Sequence, residues 1–127
     1  IINYDENNLF KFIKNSIFKV CEYLDINTKV IDSSLVDINH DLKGQQKVIA
    51  IYKSLNASTY INPIGGIELY DKEHFSKNET NLKFLKPEIR HYKQFDSQFV
   101  GSLSIIDIMM FNDLIDIQKQ LNNYTLK

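Results

Sequence analysis

The chain has 127 residues, 43% hydrophobic and 24% charged, with a formal net charge of -1 and a sequence pI near 6.3. A length of this order fits one domain over 1–127 better than two full domains, because domains commonly run to about 100–150 residues. The balanced charge excludes a broad basic field for nucleic acid or anionic membrane, no apolar run approaches the ~20 residues of a membrane span, and the single cysteine, Cys21, excludes an internal disulfide and a multi-cysteine zinc site.

In chain order, Leu9, Phe10, Ile13, Ile17, Val20, Cys21 and Leu24 recur at three- and four-residue steps, which predicts an amphipathic helix opening after Asp5, Glu6 and Asn7. Cys21 falls on the apolar stripe and reads as a buried, inert thiol, consistent with a reducing, cytoplasmic compartment. Thr28-Lys29-Val30-Ile31 is short and β-branched and predicts a strand. A helix over Gly44 to Leu55 and a strand over Ser58 to Ile61 would complete a βαβ unit with it. A short helix is predicted between Leu69 and Phe75, and a third strand over Leu82 to Leu85, stopped by Pro87. Ser104 and Asp107 have the spacing of a capping box, and Asn112 or Asp113 can cap a last helix carrying Leu114, Ile117 and Leu121. The expected fold is therefore α/β, a Rossmann-like three-layer unit with a short parallel sheet and flanking helices.

In open parallel α/β sheets, ligands bind outside the carboxyl ends of the strands, where loops and helix amino ends converge. Lys43, Gly44 and Gln45 meet that condition at the start of the crossover helix, where free N–H groups and a lysine suit an anion. Asn62-Pro63-Ile64-Gly65-Gly66 meets it after the second strand, since Gly65 and Gly66 can take positive φ and let a ligand approach the backbone. The plainer reading of this segment is a tight strand-end turn. Asn62 would orient a ligand, and Glu68, beside the turn, is the carboxylate placed to orient an acceptor or move a proton. A small anionic or sugar ligand is the partner that these residues fit. His40, His74 and His91 are scattered, so no metal site is expected, and no cofactor is specified. Lys83, Lys86, Arg90, His91 and Lys93, interleaved with Phe84, Tyr92 and Phe95, read as solvated strand faces rather than a nucleic-acid surface.

Several blocks in order resemble the WbqC-like family: Lys43-Gly44-Gln45 leading into Val48 to Ile51, Thr59 through Tyr70, Leu82 to Leu85, Tyr92 to Phe95, Leu103 to Asp107, and Met110 to Asn112. The resemblance implies the C-terminal portion of a longer bacterial protein connected with O-antigen and other surface polysaccharides. The family's amino-terminal Gln-Pro-Tyr segment does not occur in this sequence and is the expected second wall of the site. Gln46, Lys47 and Tyr52 stand where members often carry Asp, Arg and Cys. The implied activity is a transferase of acyl, aminoacyl or nucleotidyl type acting on a nucleotide- or lipid-linked sugar, the alternative being a non-catalytic scaffold for enzymes of that pathway.

Overall fold

The computed structural model of the chain describes residues 1–95 and 98–127. Among these, the elements run α1 (Leu9–Tyr23), α2 (Gly44–Ser54), β1 (Thr59–Pro63), α3 (Lys72–Lys77), β2 (Asn81–Pro87), α4 (Ile105–Phe111), α5 (Leu114–Gln120) and β3 (Tyr124–Leu126), with 3-10 turns at Ser33–Leu35 and Ile64–Gly66. They fall into two compact units of interleaved sequence, residues 1–29 with 89–122 and residues 30–88 with 123–127.

The second unit carries the sheet. β1 and β2 pair in parallel from Thr59 opposite Asn81 to Pro63 opposite Leu85, and α3 makes the crossover between them. β3 joins the far edge of β2 antiparallel, so the sheet is mixed, in the order β1-β2-β3. Side chains alternate along a strand, which places Tyr60 and Asn62 of β1 on its half-buried face and leaves Thr59, Ile61 and Pro63 exposed. On β2 the alternation buries Leu82 and Phe84. Ile49 of α2 and Phe75 of α3 join them in one core, with Val48, Tyr60, Ile64 and Tyr70 packed around it.

The predicted strand at Thr28 to Ile31 does not form. Val30 and Ile31 are exposed and no strand pairs with them, so their β-branched character is not drawn into a sheet. The βαβ unit exists, but it is built from β1, α3 and β2, one strand later in the chain than expected. The α/β class with a short parallel pairing and flanking helices stands.

In the first unit α1 forms over nearly the predicted span, capped by Asn8, whose Oδ1 accepts from the Lys11 N–H at 3.1 Å. No α1 side chain is fully buried, and Cys21 is half-buried rather than buried as expected. Leu24, just past the helix, and Ile117 of α5 are the buried pair of this unit, and the Gln118 amide donates to the Leu24 carbonyl at 3.2 Å. Ser104 caps α4 and Asp113 caps α5, at the positions the sequence indicated.

Candidate functional site

The chain enters the Asn62–Gly66 segment from the carboxyl end of β1 with Pro63 at φ -57 and turns at once into the 3-10 turn. Neither Gly65 nor Gly66 takes positive φ, so the alternating backbone of an anion nest is not formed there. Gly66 is required for a different reason. A Cβ on it would stand 2.1 Å from the Asn62 amide nitrogen, which occupies that space, and 3.6 Å from the Tyr70 ring. Asn62 acts as a clasp: its Nδ2 donates to the Pro63 carbonyl at 3.2 Å and its Oδ1 accepts from the Tyr60 hydroxyl at 2.9 Å. The Tyr60 and Tyr70 hydroxyls lie 3.4 Å apart.

Beneath the clasp lies an aromatic cluster. Tyr60 packs against Tyr52 of α2, edge-on against Tyr70, and in a stack with Phe75, at centroid distances of 4.7, 5.5 and 5.7 Å. Desolvation raises the pKa of the Tyr60 hydroxyl, and the hydrogen bond and charge of Tyr70 raise it further. Tyr52 is raised too, by desolvation first and Tyr70 second. Both hydroxyls thus stay protonated at neutral pH and can donate hydrogen bonds but not serve as bases.

The amino end of α2 reaches the same neighbourhood through one hydrogen bond, from the Asp71 N–H to Gln45 Oε1 at 3.3 Å. Positive φ occurs here, at Gly44 with φ +52, where the backbone changes direction into the helix. Lys43 is the N-cap residue and makes no side-chain capping bond, which leaves the first helical N–H groups without an internal acceptor. Lys43, Gly44, Gly65 and Glu68 are exposed; Gln45 and Asn62 are half-buried, and Gly66 is buried. Glu68 makes no hydrogen bond or ion pair among the described residues. The structure joins Gln45, Asn62 and Gly66 into one connected set through Asp71, Tyr70 and Tyr60. Glu68, Lys43 and Gly65 make no bond to that set. His40 sits before the α2 loop with its Nε2 3.0 Å from the Val36 carbonyl. No group of three or more metal-ligating side chains occurs among the described residues.

The tyrosines are the residues that sequence reasoning passed over. Tyr60 and Asn62 stand two apart on a strand and must share a face, a signal present in the sequence. Tyr70 and Tyr52 join them only through tertiary packing. The basic-aromatic stretch after Pro87 is also engaged internally. The Tyr92 hydroxyl donates to Asp107 at 2.5 Å, its ring meets Phe99 and Phe111, and Phe95 packs edge-on against Phe111.

No helix among the described residues is long and apolar enough to cross a membrane. No curated protein and no solved structure matches the chain. The model of the WbqC-like protein family matches residues 1–119, nearly the whole sequence, and the chain belongs to that family.

Proposed function

We propose that this WbqC-like protein serves bacterial surface-polysaccharide biosynthesis, O-antigen included, as a cytoplasmic transferase acting on a nucleotide- or lipid-linked sugar. One observation carries the reading: a turn at the carboxyl end of a parallel strand, clasped by Asn62 over Gly66, is tied through Asp71 and Gln45 to the amino end of α2. That arrangement combines a turn fixed by the Asn62 side chain and a helix end that favours negative charge. In this reading Lys43 and the first N–H groups of α2, at Gly44 and Gln45, hold the anionic diphosphate or phosphate. The Gly65 and Gly66 backbone borders the sugar, Asn62 and the protonated tyrosine hydroxyls beside it orient hydroxyl groups, and Glu68 accepts the proton of the attacking acceptor. Cys21, a lone thiol, agrees with a reducing compartment.

Calorimetric titration of UDP-glucose and of ATP into the protein tests this. Saturable binding that Lys43→Ala and Gly66→Val both weaken is the expected result. Lys43→Ala is the more discriminating variant, because Lys43 is exposed and its loss leaves the fold intact. Heat signals that stay flat for both ligands, or binding indifferent to both substitutions, would end the transferase reading.

A second reading, a non-catalytic scaffold of the same pathway, is favoured by α1, where Leu9, Phe10, Ile13 and Ile17 are all exposed. Co-purification with a glycan-pathway enzyme, lost on Phe10→Glu and unaffected by Lys43→Ala, is its signature.

A further inference from the structure

At the amino ends of the parallel strands, away from the clasped turn, Ser58, Lys72, Ser76, Glu79, Thr80, Asn81 and Leu82 line an open hollow of about 440 Å³. The size lies within the range of small-molecule sites, roughly 300–1,000 Å³. Its polar groups are mostly uncommitted. Thr80 spends its hydroxyl on the Asn78 carbonyl, whereas the hydroxyls of Ser58 and Ser76, the Asn81 amide and the Glu79 carboxylate bond to nothing among the described residues. The other charges of α3, Lys77 and Glu73, neutralise each other at 3.0 Å. Lys72 and Glu79 do not: the ammonium lies 5.8 Å above the Phe84 ring, and no ion pair joins it to the carboxylate. One cation and one anion thus share a hollow without meeting.

Glu79 also occupies a backbone position that disfavours it. Its φ is +59, in the left-handed region just past the end of α3, where glycine or asparagine is the usual occupant. Asn56 holds the equivalent place after α2 and Asp25 after α1, both short side chains that tolerate it. A long glutamate there gives up backbone comfort, and what it adds is a carboxylate on the rim of the hollow.

We propose that this hollow binds a small zwitterion of the α-amino-acid type. The ligand carboxylate would take the Lys72 ammonium and the serine hydroxyls, its ammonium would take Glu79, and Leu82 would meet a short aliphatic side chain. Paired charge-assisted hydrogen bonds of this kind, formed in a partly open site, support affinities of about millimolar strength.

The test is an NMR titration of the protein with L-alanine and L-serine, with inorganic phosphate and glucose as controls. Saturable amide shifts at Ser76, Asn81 and Leu82 with the amino acids, and none with the controls, are expected. Lys72→Met and Glu79→Gln should each weaken binding by about tenfold or more. Glu79→Gly should abolish it while raising the melting temperature, which separates loss of the ligand from loss of the fold. Absence of saturation with either amino acid overturns the assignment. So does equal binding of phosphate, which marks an anion site, or of glucose, which marks a polyol site, and so does unchanged affinity in Glu79→Gln.

Discussion

Gly66 stands where even a methyl group would have to displace the Asn62 amide, and that single contact makes the turn sensitive to substitution. Gly66→Ala is expected to destabilise the protein by about 1–3 kcal/mol through overpacking. Combined with Asn62→Ala the added cost should shrink, since the obstructing amide is gone, and a double-mutant cycle in urea reads the difference. Tyr60 is the other half of the clasp. Its hydroxyl pKa lies above the ordinary value of 10.0, chiefly through desolvation. A raised pKa means that the folded state holds the proton more tightly than the unfolded chain. The stabilisation is therefore complete below about pH 10 and is lost as pH rises toward the folded-state value. Denaturation midpoints should fall in that alkaline window, and Tyr60→Phe should flatten the fall while costing about 0.5–1.5 kcal/mol at neutral pH for the lost hydrogen bond.

Among the elements, α4 shows how a local motif is overruled. The spacing of Ser104 and Asp107 matches a capping box, and Ser104 does cap, its hydroxyl accepting from the Ile106 N–H at 3.3 Å. Asp107 faces elsewhere. Its carboxylate accepts from the Tyr92 hydroxyl at 2.5 Å and from the Gln94 amide at 3.1 Å, and Gln94 in turn closes a two-way bond with the Val100 backbone. A charged acceptor in such a network is worth more than a cap, so Asp107→Ala should cost about 1.5–3 kcal/mol. Asp113→Ala, which removes only the bond to the Asp116 N–H at 2.8 Å, should cost about 1 kcal/mol. Urea denaturation of the two variants decides the order. Legibility at this scale followed the strength of the local signal: α1 and α2 announced themselves by period and composition, whereas Thr28 to Ile31 carried propensity without a partner.

For the molecule as a whole, the interleaving of the two units has a consequence for folding. Each unit is assembled from two separate stretches of sequence, so no single cut releases either one. One cooperative transition is expected, with calorimetric and van 't Hoff enthalpies in agreement; two resolved transitions would show independent units. The last residues are part of this cooperation. β3 covers the outer edge of β2, and Lys127, just past it, exchanges two backbone bonds with Phe84 at 2.8 and 2.9 Å. Removing residues 124–127 should speed hydrogen exchange at Phe84 and lower the melting temperature, because β2 becomes an unpaired edge.

What the amino-acid order determined alone is what depends on near neighbours: the helical stripe of α1, the caps at Ser104 and Asp113, the extended character of β1 and β2, and the special turn at Asn62 to Gly66. The ordered blocks also carried the family. Tertiary structure decided everything that depends on which segments meet. It moved the βαβ unit to β1, α3 and β2 because Phe75, Leu82 and Phe84 bury together, while Val30 and Ile31 pair with no strand. It drew residues 124–127 into the sheet, where the sequence pattern predicts no strand. At the turn itself, the glycines suggested freedom for positive φ, yet Gly66 is needed for want of space beside Asn62. Backbone preference is local and can be read residue by residue; the volume left beside a residue belongs to its neighbours in space.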